Sequence, residues 1–444
     1  MLTSASFENF KSIKKLDKLE LKPLTILTGT NASGKSAILE GIGLFADAAR
    51  ESLFADSNKN TIIGVFTDPQ GLWRYPREEL QKFVVHKGDR KNSASIEIEV
   101  KTDDQLQKSI DSIVNGYHIS RFTINRVEYK IGFNFLKKEY SQTVKIEKYV
   151  KVSAYKTENS LTIQNDLCGE SHASSYDPIA LFDSRCFTCN ISNKNFDFQL
   201  LAARTLLDYL RDRFKNVFLI SGERGRIDSQ LNIANPQRQI QHKTSPLWVG
   251  YRGEHVIEIL SRYFTREQKI ALKIQEWADK FQIPEIHAGY VGNGKLETNF
   301  FDKQFETSLN ASLAGLGSRQ ILPIIVQIFS AEPESVILIE EPEISLHPES
   351  QVLLDELFAT AVSEGKQIIC TTHSPFMILA INRIVKKGLI KAEDIAIYHV
   401  EKDSEGTKTT QLALNKNGFL DSGIPSFMKI EQELLRDWTD TIED

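Results

Sequence analysis

Cysteine is scarce: four in 444 residues cannot make a disulfide framework. A reducing compartment is expected, where such cysteines stay thiols or serve as metal ligands. Long apolar runs are also missing. The densest, Ile321 to Phe329, contains Pro323 and Gln327 and is too short to span a bilayer, and Met1 to Lys15 lacks the charged-then-apolar layout of a secretory signal. A cytoplasmic protein with no membrane partner is expected. Nor is there an excess of positive charge. Lys and Arg number 54 against 59 Asp and Glu, a net charge of −5, so any contact with DNA must use a local patch. Internal repeats and heptad runs long enough for an extended coiled coil are absent as well. What is present is a 41% hydrophobic chain of 444 residues, enough for an ample core and, at about 150 residues per domain, for two or three units.

Periodicity divides the chain. Residues 1–145 read as β-rich, with alternating runs at Ser95 to Val100 and Arg121 to Gly132 around one helix after Lys35, in which Ile38, Leu39, Ile42, Phe45, Ala46 and Ala49 share a face. Residues 146–300 are less regular, with a polar part at 157–196 and helical patterns at 200–214 and 254–282, and look like an inserted unit. From 301 to 444 helices alternate with apolar strands, as in a parallel sheet covered by helices.

The apolar strand Leu24 to Leu27 runs into Gly29, Thr30, Asn31, Ala32, Ser33, Gly34, Lys35 and Ser36, which open the helix. This is the P-loop pattern in its strand-loop-helix context. Its glycines let backbone N–H groups wrap phosphates, Lys35 reaches the β- and γ-phosphates of ATP, and Ser36 offers a hydroxyl to Mg²⁺. Further on, the strand Val336 to Ile339 ends in Glu340, Glu341 and Pro342. Two acids at the tip of an apolar strand are costly unless they serve a cation or a reaction. Glu340 is expected in the Mg²⁺ shell, and Glu341, pointing the other way by strand alternation, is expected to polarise the attacking water. A third strand, Gln367 to Thr372, delivers His373, read as a γ-phosphate sensor against the alternative of a capped or core histidine. Between insert and acidic strand, Leu313 to Gln320 forms a Gly-rich turn before the helix Ile321 to Phe329. Gly315 and Gly317 make it a second phosphate-binding helix start, against a plain N-capped helix.

The order of these motifs, with Ser345, Leu346, His347 and Pro348 after the acidic strand and Phe7 to Ile13 at the start, resembles the ABC-type ATPase heads of the SMC, Rad50, RecF and OLD group. Within that group it is particularly similar to stand-alone AAA15/DUF3696-type ATPases and to ATPases of phage-defence modules such as Septu and PARIS. The resemblance covers 1–145 and 300–444, extends to Val249 to Glu254, and is weaker at Leu414 to Phe419. It implies an α/β fold: a P-loop ABC-type head split by an inserted mixed domain, without a Toprim domain. Gly315 to Gln320 then stands at the signature motif, with Gly315 where the family's serine is usual, and Glu340 stands where aspartate is usual. Gln81 is the candidate Q-loop glutamine. The resemblance further implies ATP and Mg²⁺ as cofactors, a homodimer or larger homo-oligomer in which each signature turn meets the partner head's nucleotide, and release on hydrolysis through Glu341. The expected role is a sensor or regulator in antiviral defence, acting on a separate effector such as a nuclease or toxin. A DNA-repair clamp and a transporter ATPase subunit are the rival readings.

Three other features stand apart. Cys168, His172, Cys186 and Cys189 would suit a tetrahedral zinc site or be incidental thiols and a surface imidazole. Arg224 and Arg226, in a Gly-rich turn after the strand Val217 to Ile220, read as a solvated basic turn rather than a DNA or partner contact. Glu401 and Asp403 lie between the strands Ile395 to Val400 and Lys408 to Leu414 with no paired-aspartate motif, a charged hairpin rather than a nuclease site.

Overall fold

A computed structural model describes residues 1–50, 85–88, 91–117, 120, 122–134, 139–146, 149–156, 161–165, 170–174, 194–232, 247–292, 294–421, 423–424, 433 and 436. Gln81, Cys168, Cys186 and Cys189 lie outside the described residues, as does the side chain of His172. The chain divides into two compact units, one of residues 1–21, 40–215 and 402–408, the other of 22–39, 216–401 and 409–444.

With strands numbered along the chain, the first unit is built on β1 (Leu2–Phe10), β2 (Ile13–Glu20), β4 (Ala94–Lys101), β5 (Arg126–Asn134), β6 (Glu139–Ile146), β7 (Val150–Lys156), β8 (Leu161–Asn165) and β9 (Glu170–Ser174). They form one sheet in the order β2-β1-β4-β5-β6-β7-β8-β9, antiparallel throughout. Alternation fixes its faces: Ala94, Ile96, Ile98 and Val100 of β4 point the same way and are buried. Helices α2 (Asp104–Tyr117) and α3 (Lys194–Phe214) belong to this unit. So does Phe45, from the later part of helix α1 (Lys35–Arg50), whose ring meets Tyr129 and Phe214 edge-on at 5.1 and 5.2 Å.

The second unit holds a sheet in the order β10-β15-β16-β3-β17-β18, from β10 (Val217–Ile220), β15 (Val336–Ile339), β16 (Gln367–Thr372), β3 (Leu24–Gly29), β17 (Ile395–Lys402) and β18 (Thr407–Leu412). The ladders β10-β15, β15-β16, β16-β3 and β3-β17 are all parallel, so five strands end at one edge. Every residue of β3, β10, β15 and β16 is buried, so β10 and β15 read as unbroken apolar runs, while β3 and β16 also bury threonines. Helices α4 (Val256–Arg266), α5 (Gln268–Lys280), α6 (Leu316–Ser330), α7 (Pro348–Ser363) and α8 (Pro375–Lys386) share the core with the sheet. A smaller antiparallel sheet pairs β13 (Lys295–Asp302) with β11 (Leu231–Asn232), β12 (Glu285–Gly292) and β14 (Thr307–Asn310). Among the described residues no helix is long and apolar enough to cross a membrane.

Strand pairing crosses the expected divisions, and one helix starts before its apolar run. The division at 145 and 300 does not follow the strand pairing: β7, β8 and β9 continue the first sheet beyond 145, and β10 joins the parallel sheet beside β15. Strand P-loop residues 24–29 sit in the second unit, although they precede most of the first in sequence. Periodicity reports that a segment is a strand but not which ladder accepts its N–H groups. The helix expected from Ile321 begins at Leu316, with Gly315 as N-cap, so Gly317 to Gln320 are helical. Glycine has a poor helix propensity, and here packing overrides it.

Candidate functional site

Three adjacent strands deliver the site. Neighbouring strands lie about 4.8 Å apart, so the ends of β15, β16 and β3 fall within roughly 10 Å of one another. After β3, the loop Gly29 to Gly34 turns into α1. A side chain at Gly29 is impossible: φ is +150°, and a Cβ would lie 2.0 Å from the Val400 carbonyl oxygen of β17. Gly34 has φ +109°, and Ala32 adopts φ +57°. α1 carries no acid in its first turn, so nothing in the helix itself compensates its N-terminal N–H groups. Ser36 is exposed there.

Lys35 is only 5% exposed. Its ammonium donates to the carbonyls of Gly29 at 3.0 Å and Thr30 at 2.7 Å, folding back along the loop. Burial lowers its pKa, and the carboxylates of Glu341 and Glu343 lie close enough to oppose that shift. This joins residues from opposite ends of the chain in one electrostatic site.

β15 stops at Ile339, so Glu340 and Glu341 both lie beyond it. Strand alternation therefore does not separate them, contrary to expectation. The separation comes from Glu341 itself, at φ +41°, with its N–H donating to the Thr371 carbonyl and hydroxyl at 3.1 Å each. Glu340 turns toward β10, where its Oε2 accepts the Gly222 N–H at 3.2 Å. Glu341 turns toward β16, where its Oε1 stands 3.5 Å from His373 Nε2. Burial, and then the charge of Lys35, hold the His373 ring below its usual pKa, so it is neutral at physiological pH. Ser374 caps α8 by accepting the Met377 N–H at 3.2 Å, and its hydroxyl donates to Gln351 at 2.6 Å, which fixes the residue after His373.

Gly315 and Gly317 lie at the start of α6. A Cβ on Gly317 would come within 2.8 Å of the Ser345 carbonyl oxygen, whereas one on Gly315 would meet nothing within 4 Å. This turn is anchored at the β10-β15 side of the sheet, away from β3.

Two residues of the site were not singled out by their sequence, or were misread. Glu343 is 8% exposed; its Oε1 accepts the His373 N–H at 2.6 Å, while Oε2 is buried without a hydrogen-bond partner. Burial raises its pKa. The run Glu340, Glu341, Pro342, Glu343 held the signal, a third acid so close to an apolar strand. Arg224 is not a solvated turn residue. It is 2% exposed and bonds to main-chain carbonyls around Glu340 to Pro342, whereas Arg226 is exposed as expected. Asp403 accepts the N–H groups of Glu405 and Gly406 in the turn between β17 and β18, the expected charged hairpin.

Chemically, the loop offers N–H donors and a buried cation, with no acid in the first turn of α1, which fits a polyphosphate. Ser36 and Glu340 offer hard oxygen donors of the kind Mg²⁺ takes, and Oε2 of Glu343 is a further buried oxygen without a hydrogen-bond partner. Glu341 and neutral His373 are a base and a hydrogen-bonding partner side by side.

Three solved structures are similar to this chain at low identity. They are a SmcHead bound to the C-winged helix domain of ScpA (14% identity, 94% of this chain and 98% of that one, TM-score 0.47), the SMC head domain from Thermotoga maritima (10%, 93% and 99%, 0.40), and the Smc head domain with an extended coiled coil bound to the C-terminal domain of ScpA derived from Pyrococcus furiosus (12%, 98% and 99%, 0.42). No curated protein matches the chain. A family model described as AAA ATPase domain, AAA_15, matches residues 1–378, which contain the P-loop, both glutamates and His373, and the chain therefore belongs to the AAA ATPase domain family.

Proposed function

We propose that the protein binds ATP with Mg²⁺ at Gly29 to Ser36, hydrolyses it through Glu341, and uses nucleotide-dependent association of two heads as a switch. The observation that carries this reading is the gathering of Lys35, Glu341 and His373 at the ends of the parallel strands β3, β15 and β16, with Glu341 Oε1 3.5 Å from His373 Nε2.

Lys35 would exchange its loop carbonyls for phosphate oxygens, and the N–H groups of the loop and of the first turn of α1 would hold the rest of the polyphosphate. Ser36 and Glu340 would hold the cation, which when bound supplies charge neutralisation at the phosphates. Glu341 accepts the proton of the attacking water, and His373 donates a hydrogen bond where negative charge develops. The α6 start, anchored on the side of β10 and β15, presents Gly315 and the N–H groups of its first turn outward. An exposed Leu313 and Leu316 flank it, as a surface completing a second head's site would require. In the cell the switch would serve as sensor or regulator in antiviral defence with a separate effector. The family resemblance of the motifs supports that role.

The test is direct. Glu341→Gln should lower kcat by about a hundredfold or more while retaining ATP, and with ATP and Mg²⁺ it should run as a dimer in light scattering. Lys35→Ala should lose nucleotide binding and stay in the nucleotide-free state. A Glu341→Gln protein that hydrolyses at the wild-type rate, or never associates with ATP, would refute the reading.

A further inference from the structure

Resting on ATP turnover through Glu341, we propose that Arg224 is the positioning residue that holds Glu341 in its left-handed turn and ties that turn to the start of α6. A guanidinium has five N–H groups, and all five are used. Nε donates to the Gln320 carbonyl at 2.8 Å; one terminal nitrogen donates to Ser221 at 3.2 Å and Glu340 at 2.7 Å; the other donates to Glu341 at 3.1 Å and Pro342 at 3.0 Å. Every one of these acceptors is a main-chain carbonyl. The three successive carbonyls of Glu340, Glu341 and Pro342 converge on one side because Glu341 sits at φ +41°, a conformation that L residues rarely adopt. Without a cation between them their dipoles would repel, and the turn would relax toward ordinary backbone.

The other half of the fork reaches α6. Gln320 returns the bond by donating its side-chain amide to the Arg224 carbonyl at 2.8 Å. Next to it, Gly225 approaches the Arg319 carbonyl so closely that a Cβ would lie 3.0 Å from that oxygen. Pro323 has no N–H to offer Arg319 within the helix, which leaves that carbonyl facing the turn. A displacement of the α6 start is thus carried to the backbone of Glu341 by one rigid, planar group. Burial pulls the Arg224 pKa down to about 10, so the side chain remains charged across the physiological range. Lysine cannot replace it: three tetrahedral N–H groups on a flexible stem cannot serve five fixed carbonyls.

Arg224 touches neither nucleotide-binding loop nor His373, so its effect should fall on turnover rather than binding. Arg224→Lys is expected to lower kcat by about tenfold or more while KM and the affinity for a fluorescent ATP analogue stay within about threefold. In a Glu341→Gln background the same substitution should cost nothing further in single-turnover rate, because it acts through the side chain already lost. Normal kcat in folded Arg224→Lys, or losses that multiply in the double variant, would overturn the proposal. Should Arg224→Lys fail to fold, Gln320→Met, which removes only the returned bond, should still lower kcat about threefold with KM unchanged; wild-type kcat there would equally overturn it. A fast Glu341→Gln enzyme would instead sink the underlying assignment, independently of Arg224.

Discussion

Asp355 is a buried carboxyl group that the fold leaves without a partner, and removing it should make the protein more stable. It lies on α7, is 0% exposed, and neither carboxylate oxygen has a hydrogen-bond partner. Leu354, Leu357 and Phe358 of the same helix belong to the core, and the Cys370 thiol of β16 is within electrostatic reach. Burial, reinforced by Glu356, raises its pKa well above the ordinary carboxylate value. The sign follows. Below a pH of about 3.9 both folded and unfolded chains hold the proton, and the group costs nothing through ionisation. Above it the unfolded chain ionises while the folded one does not, and stability falls by about 1.4 kcal/mol per pH unit until the folded pKa is passed. Asp355→Asn keeps the shape and removes the titration. Its stability advantage should therefore grow with pH, on top of the unsatisfied-group penalty of about 1–3 kcal/mol that only an apolar replacement such as Asp355→Leu relieves. Urea unfolding of wild type and Asp355→Asn between pH 5 and 8 reads the difference. An Asn advantage that does not change with pH, or a destabilised Asn variant, would refute the reasoning.

Other outcomes follow from the same geometry. Gly317→Ala places a methyl group 2.8 Å from the Ser345 carbonyl oxygen and should cost about 1–3 kcal/mol, whereas Gly315→Ser, at an N-cap with φ −53° and ψ 146° and open space around it, should gain a few tenths of a kcal/mol. Paired thermal melts distinguish them, and equal melting temperatures would show that Ser345 yields freely. Ser374→Ala loses both the α8 cap and the bond to Gln351 and should cost about 1–2 kcal/mol, seen as a lower melting temperature and as faster amide exchange at Met377. Unchanged exchange there would mean that Pro375 alone starts the helix.

Much of the site was legible before any coordinates. β15 begins and ends where its apolar run does, because a strand buried on both faces is built mostly from apolar residues, whereas β16 also buries Gln367, Thr371 and Thr372 at its ends. The loop from Gly29 to Ser36 was legible for a different reason, since Gly29 serves a close approach and Gly34 a positive φ that favour glycine. Arg224 and Glu343 were not legible in their roles. A charged residue after an apolar strand is usually solvated, and four of the five acceptors that bury Arg224 come from 96 to 118 residues away in sequence. The aim of Glu341 was expected from strand parity, but the strand had already ended. Its direction comes from a left-handed backbone angle that no side-chain pattern encodes.

The position of β3 sets a timetable for the newborn protein. Thr28 pairs in register with Thr372, and Gly29 with Val400. At 5–20 residues per second, roughly 20 to 70 s separate synthesis of the phosphate loop from that of the strands flanking it. Throughout that interval an apolar strand leaves the ribosome without either neighbour, and the early sheet of β1, β2, β4 and β5 can close around a gap in its own sequence. Such an order of assembly predicts that the yield of folded protein depends on elongation rate.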